Sequence, residues 1–275
     1  PDIFKAMAKS DILLHTPYES FDPVVELTRR AAEDPNVLAV KMTVYRTGID
    51  SELVQNLIKA ARAGKQVVAS IELFARFDEE ANVELAAQLE EAGAHVVYGV
   101  MGYKVHAKIL AIVRREGTEI KHYLHLGTGN YHQTTAKIYT DFGLLTTNPR
   151  MASDVDNIFN QITGVGKSGV LNELFQSPFT LHDMVMKGIE RETYNALNGE
   201  KAEIIAKMNS LVENQVIRAL YIASQAGVKI TLIVRGACAL RPQLAGVSDN
   251  IIVKSVVGRF LEHHRIFYFH DSGNE

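Results

Sequence analysis

Tyr103-Lys104-Val105-His106-Ala107-Lys108-Ile109-Leu110-Ala111-Ile112-Val113 sets His106 and Lys108 inside a run otherwise dominated by apolar and β-branched side chains. The composition predicts a strand. Residues two apart on a strand share a face, so His106 and Lys108 are expected to project together while Val105, Ala107 and Ile109 point the other way. That pairing suits phosphate chemistry. A neutral imidazole nitrogen can attack a phosphoryl or phosphodiester centre, and an ammonium can hold a phosphate oxygen as a point charge. Taken alone, such a triplet is more often a histidine hydrogen-bonded at a strand end, and the context has to shift that balance.

Downstream, Leu124-His125-Leu126-Gly127-Thr128-Gly129-Asn130-Tyr131 follows the hairpin-like Arg114-Arg115-Glu116-Gly117-Thr118-Glu119. The order reads as strand, turn, strand and a glycine-rich corner. Gly127 and Gly129 are expected to let backbone amides approach an anion, with Thr128 and Asn130 supplying side-chain donors. An H-x-K strand answered by G-[ST]-x-N resembles the phospholipase D superfamily, whose sites join two such half-motifs. A second half stands at Arg259-Phe260-Leu261-Glu262-His263-His264-Arg265-Ile266-Phe267-Tyr268-Phe269, where His263 and Arg265 repeat the H-x-[basic] spacing. Upstream of each half, residues 51–64 and 214–227 read as amphipathic helices closed by Ala-Gly. The strands that follow, residues 65–74 and 228–234, deliver Arg76 and Arg235 to a sheet edge. The chain reads as a divergent duplication.

The repeated β-α-β alternation implies an α/β fold of two phospholipase D-like domains, each a mostly parallel mixed sheet flanked by helices. Ligands collect outside the carboxyl ends of such strands. The buried-type strand Val37-Leu38-Ala39-Val40-Lys41-Met42-Thr43-Val44-Tyr45-Arg46 places Arg46 at such an end. Helices are expected over residues 3–9, 24–32, 151–162 and 181–198, the third capped by Ser153 or Asp154, and strands over 11–15 and 202–208. The domain boundary is expected near Gln176-Ser177-Pro178, giving a first domain over 1–173 and a second over 174–275. Gly166-Lys167-Ser168 looks like a nucleotide loop, but Gln161 stands where the Walker pattern needs a glycine, so it is read as a flexible loop.

At 275 residues the chain has room for two medium domains with full cores. No run approaches the ~18 apolar residues of a membrane span. Cys238 is alone, so an internal disulfide is excluded, and no basic stretch followed by an apolar one opens the chain. A cytoplasmic location is expected. The net charge of -3 argues against broad nucleic-acid binding while leaving room for a local basic pocket. The start at Pro1 and the stop soon after a strand lead to the expectation that this is an excised piece of a longer protein.

Seven segments arrive in an order and spacing similar to one family. They are Lys41-Met42-Thr43-Val44-Tyr45-Arg46, Glu72-Leu73-Phe74-Ala75-Arg76-Phe77-Asp78-Glu79, Val105-His106-Ala107-Lys108, Gly127-Thr128-Gly129-Asn130-Tyr131, Tyr139-Thr140-Asp141, Val234-Arg235-Gly236 and Gly258-Arg259-Phe260-Leu261-Glu262-His263. Together they resemble the polyphosphate kinases of the phosphohistidine-forming type, whose catalytic core is a pair of phospholipase D-like domains. The resemblance covers essentially the whole chain.

It implies that His106 becomes the phosphohistidine, that Tyr139, Arg235 and His263 meet the nucleotide or its phosphates, and that Arg46 and Arg76 belong to a magnesium-phosphate site. It also implies ATP, ADP and inorganic polyphosphate as partners, Mg²⁺ as cofactor, and a homo-oligomer in the full-length enzyme. The family's amino-terminal region contributes to nucleotide binding, so this piece alone is expected to be weak or inactive. A guanidinium has no lone pair to offer a metal, so Arg46 and Arg76 are expected to grip phosphate oxygens beside Mg²⁺. Lys108, Asn130 and Arg265 complete the candidate set as hydrogen-bond donors to phosphate, and Lys108 and Arg265 add fixed cations, which stabilise the charge of a phosphoryl group in transfer.

His263 is the candidate acid/base or charge partner of His106 in one shared pocket, with the adjacent His264 competing for the role. Phospholipase D-type hydrolases carry an aspartate five residues after the lysine. Val113 stands there, and His270 after Arg265, which disfavours diester hydrolysis by water. A phospholipase D-like nuclease or lipase and a catalytically silent polyanion-binding module stand as the alternatives.

Overall fold

A computed structural model of the chain describes residues 2–44, 51–72, 79–100, 102–166 and 169–274. The chain divides into two units, Pro1–Leu174 and Phe175–Glu275. The first runs α1 (Ile3–Lys9), β1 (Ile12–Thr16), α2 (Asp22–Glu33), β2 (Val37–Val44), α3 (Glu52–Arg62), β3 (Gln66–Ile71), α4 (Glu79–Glu91), β4 (His95–Val97), β5 (Lys108–Glu116), β6 (Glu119–Gly127), β7 (Tyr139–Thr146) and α5 (Pro149–Ile162). Its strands lie in the order β1-β7-β6-β5-β2-β3-β4.

The α/β class and the mixed sheet are as expected, but in this unit parallel pairing is the minority. Only β2·β3 and β3·β4 are parallel, while β1·β7, β7·β6, β6·β5 and β5·β2 are antiparallel. The connections are the reason. Gly117, with φ +64, and Thr118 close β5 onto β6 as a tight hairpin, and no crossover helix separates β6 from β7.

Alternation along β5 sorts the core. Leu110 and Ile112 join Val24, Leu53, Leu57 and Leu85 of α2, α3 and α4, whereas Ile109 and Ala111 meet Val155, Ile158 and Phe159 of α5. Helices therefore cover both faces, and each large side chain so buried contributes roughly 2 kcal/mol. The helix α5 starts earlier than expected, because Asn148 caps it by accepting from the amides of Arg150 and Met151, with Pro149 at the first helical position. Asp154 is not a cap. It lies within the helix, fully buried, and accepts hydrogen bonds from the backbone amides of Asn172, Glu173 and Leu174 at 2.7–2.9 Å.

The second unit runs α6 (Leu181–Leu197), β8 (Glu203–Met208), α7 (Asn214–Ala226), β9 (Lys229–Val234), β10 (Ile251–Lys254), β11 (Leu261–Glu262) and β12 (Ile266–Phe269). Its sheet has the order β10-β9-β8-β12, parallel except for β12 against β8. Val185 and Ile189 of α6 and Ile217, Leu220 and Ala223 of α7 pack on Ile204, Ala206, Ile230 and Leu232. Gly188 admits the ring of Phe269, which a Cβ there would meet at 2.6 Å.

The duplication is visible in β2-α3-β3 and β8-α7-β9, each a strand, a helix and a parallel neighbour. Each helix stops at a left-handed glycine, Gly64 at φ +81 and Gly227 at φ +102. Among the described residues no helix is long and apolar enough to cross a membrane.

Candidate functional site

The strand expected over residues 103–113 begins only at Lys108, and His106 lies exposed in the irregular segment ahead of it. The two residues therefore do not share a strand face. What ends the ladder between β2 and β5 is a side chain, while β5 itself stays paired with β6 as far as Lys108 opposite Gly127. The β2·β5 ladder runs to Met42 opposite Leu110, and beyond it the hydroxyl of Thr43 donates to the Ala107 carbonyl at 2.7 Å and accepts from the Ile109 amide at 3.0 Å. Backbone groups that would have extended the ladder are thereby satisfied without it. The Val105 amide is held in turn by the Glu72 carboxylate at 3.2 Å.

His106 and Lys108 still meet. The buried Lys108 reaches back so that its Nζ donates to the His106 carbonyl at 2.6 Å and lies 3.1 Å from both Nδ1 and Nε2 of the imidazole.

The glycine-rich corner after β6 serves close packing. A Cβ on Gly129 would stand 2.5 Å from Asp141 Oδ2, and one on Gly127 2.9 Å from His125 Cε1. The Thr128 hydroxyl, expected as a donor to an anion, instead donates to Asp141 Oδ1 at 2.7 Å and accepts from the Phe142 amide at 3.0 Å. Asn130 differs: its Oδ1 is buried with no hydrogen-bond partner among the described residues. Tyr139 opens β7, two residues before the buried Asp141.

Beneath the corner, His125 Nδ1 lies 2.9 Å from the Tyr131 hydroxyl, both side chains buried. Burial pushes the His125 imidazole down to about 4 and raises the Tyr131 phenol. His125 is thus a buried core residue whose burial disfavours the charged ring.

In the second unit Arg235 follows β9 directly. Its Nη2 donates to Asn209 Oδ1 at 2.6 Å and its Nη1 to the Glu262 carbonyl at 3.1 Å. His263 is buried, and its carbonyl accepts from Arg265 Nη1. The basic residue two positions after each histidine thus binds that histidine's own carbonyl in both units. His264 is also buried, with Nδ1 2.8 Å from Lys207 Nζ. An ammonium has only hydrogens to give, so this nitrogen bears a lone pair and is committed to Lys207.

Arg46 and Arg76 lie outside the described residues, as do Lys167 and Ser168. Sequence reasoning gave no role to Thr43, Glu72 and Asp141, which stand within the family-like segments, and passed over Lys207 and Asn209 altogether. Lys207 too left a signal, a lysine between the apolar neighbours Ala206 and Met208 on an interior strand, the same anomaly that marks Lys108.

Two α/β units, each presenting shortly before a strand a histidine whose carbonyl is held by the cation two residues on, define a two-unit α/β protein with a repeated histidine–cation motif. Family models for polyphosphate kinase C-terminal domain 1 and C-terminal domain 2 match residues 2–168 and 174–275, and the chain belongs to the polyphosphate kinase family. Polyphosphate kinase from Neisseria meningitidis serogroup B is 63% identical over 99% of this chain, and that from Burkholderia vietnamiensis 58% identical over 100%. The chain spans 40% and 41% of the lengths of these two curated relatives. The crystal structure of polyphosphate kinase from Porphyromonas gingivalis superimposes with a TM-score of 0.91 at 38% identity, over 100% of this chain and 46% of that one. Phosphatidylserine synthase from Haemophilus influenzae shares the fold at 9% identity, with a TM-score of 0.56 over 95% of this chain and 76% of its own.

Proposed function

We propose that the full-length protein transfers the γ-phosphoryl group of ATP reversibly to the end of an inorganic polyphosphate chain, and that these two units carry the chemistry. An imidazole nitrogen of His106 attacks the γ-phosphorus as the bond to the ADP oxygen breaks. The terminal oxygen of polyphosphate then attacks the same phosphorus and releases the imidazole. Each step exchanges one high-energy phosphoryl bond for another, so the sequence runs both ways. The observation that carries the reading is the Lys108 ammonium 3.1 Å from both ring nitrogens of His106. Such a charge offers a fixed cation to phosphate oxygens beside the imidazole.

In this reading Tyr139 and Asn130 of the first unit and Arg235 and Arg265 of the second are nucleotide- and phosphate-binding residues, and His263 is an acid/base or charge residue of the transfer. His263 is preferred to His264 because the Nδ1 of His264 is committed to Lys207. Among the described residues no group of three His, Cys, Asp or Glu side chains is spaced to hold a metal. Mg²⁺ is accordingly proposed to enter on the phosphates, with Arg46 and Arg76 gripping neighbouring oxygens. Bound there, it would neutralise part of the triphosphate charge.

The test uses the full-length protein and ATP labelled at either the γ- or the α-phosphate. An acid-labile label from the γ-position alone, abolished by His106→Ala, is the expected result. Undiminished incorporation in His106→Ala would overturn the reading, and so would turnover of a phosphodiester without ATP.

A further inference from the structure

We propose that Lys207 is a positioning residue for His263 and Arg235, acting as a charge clamp on the segment between β11 and β12. The proposal rests on the reading above that those two residues serve a phosphoryl group. Lys207 sits near the end of β8, an interior strand, opposite Ile266 of β12. Its neighbours Ile204 and Ala206 pack into the core, while its own side chain is 13% exposed. A lysine so placed needs partners that offset its lost hydration. It has two, the carboxylate of Glu262 and Nδ1 of His264, the latter at 2.8 Å.

These partners are the residues immediately before and after His263. One ammonium therefore grips the chain on both sides of the proposed acid/base. His263, His264 and Arg265 lie outside any strand, so side-chain bonds supply order that a ladder supplies elsewhere. The same segment holds Arg235, whose Nη1 donates to the Glu262 carbonyl while Nη2 takes Asn209. Displacing Glu262 would move His263 and loosen one of the two bonds that aim Arg235.

Lys207→Met removes the charge and keeps most of the stem. It takes the Lys207 ammonium away from the Glu262 carboxylate, which is 17% exposed. In the full-length protein, hydrogen exchange is expected to accelerate in residues 261–265 and to stay unchanged in β8 and β9, which also shows that the variant folds. kcat is expected to fall by about a hundredfold, since small misplacements of reacting groups have costs of that size, while KM for ATP rises by less than about tenfold through the loosened Arg235. The double variant Lys207→Met/Glu262→Gln is expected to lose no more than Lys207→Met alone, because the two residues act as one clamp.

Unchanged exchange in residues 261–265 would overturn the clamp, and this readout does not depend on ATP turnover. Accelerated exchange with wild-type kcat, in a protein that His263→Ala inactivates, would overturn the positioning role.

Discussion

The Nζ of Lys108 stands 3.1 Å from both ring nitrogens of His106 while donating to that residue's carbonyl at 2.6 Å. A point equidistant from Nδ1 and Nε2 lies on the plane that bisects the ring, along neither in-plane lone pair. The charge is therefore delivered beside the imidazole without capping the nitrogen that would attack. Lys108→Met is expected to slow γ-phosphoryl incorporation by about 10²–10³-fold, the usual cost of deleting one preorganised charge-stabilising group. Lys108→Arg is expected to recover only part of the rate, because a planar fork does not reproduce a point charge on a flexible stem. Single-turnover labelling measures both, and a wild-type rate in Lys108→Met would remove the lysine from the mechanism.

Asp154 is fully buried in α5, and its carboxylate accepts from three consecutive backbone amides, those of Asn172, Glu173 and Leu174. Burial alone would raise its pKa, but those hydrogen bonds outweigh it and hold the group below the ordinary carboxylate range. A group depressed in this way contributes stability above its unfolded pKa and loses it as pH falls through the folded value. Asp154→Asn puts an amide donor among donors and is expected to cost about 2–4 kcal/mol at neutral pH. Denaturant melts from pH 3 to 7 should show the variant with a flatter acid limb as well as a lower midpoint.

How much of this was legible in the sequence depended on whether the cause was local. The helices α3 and α7 were readable because periodicity and a terminal Ala-Gly are local signals, and the hairpin at Gly117-Thr118 for the same reason. The irregular segment around His106 was not readable, because the group that ends the β2·β5 ladder, the Thr43 hydroxyl, comes from a residue 66 positions before Ile109. The corner at Gly127–Asn130 was placed by its glycines, but the packing they allow was read only in part: His125 lies two residues before Gly127 on the same strand, within reach of a spacing rule, whereas Asp141, which needs the space at Gly129, comes from the neighbouring strand β7. The candidate residues themselves were found by motif. Lys207 and Asn209 were missed because their partners, Glu262 and Arg235, lie 55 and 26 residues away.

His125 makes the first unit acid-sensitive in a defined window. Its imidazole is pushed down to about 4 by burial, against roughly 6.5 in an unfolded chain. Between these values the unfolded chain takes up a proton that the folded one refuses. Stability is thus complete above about 6.5, falls as pH drops toward about 4, and loses on the order of 3 kcal/mol across the interval from this group. His125→Gln removes the titration. Urea midpoints taken from pH 7 to 4 should slope less steeply in the variant, and identical slopes would show that His125 does not titrate in this way.

Gly129 carries no side chain because Asp141 occupies the space. An alanine Cβ would stand 2.5 Å from its Oδ2 and 2.7 Å from its Cγ, and the carboxylate is buried and bonded to Thr128, so it yields only at a cost. Gly129→Ala is expected to destabilise by about 1–3 kcal/mol and to disturb Asn130 next to it. Gly166→Ala is the control, since nothing lies within 4 Å of a Cβ there. Thermal melts should separate the two variants, and equal midpoints would mean that the corner is not tightly packed.

The hydroxyl of Thr43 replaces two rungs of a ladder, bonding the Ala107 carbonyl at 2.7 Å and the Ile109 amide at 3.0 Å. It therefore ends the β2·β5 ladder, while β5 keeps its pairing with β6 as far as Lys108 opposite Gly127, and His106 lies on irregular backbone ahead of it where Lys108 folds back onto it. Thr43→Val keeps the shape and deletes the oxygen. Two backbone groups lose their partner, at a cost of about 1–3 kcal/mol for such burial, and the segment ahead of Lys108 is expected to loosen. Hydrogen exchange at Ile109 should accelerate in Thr43→Val and return to the wild-type rate in Thr43→Ser, which restores the hydroxyl. If exchange at Ile109 is the same in all three proteins, the ladder end is fixed by something other than this oxygen.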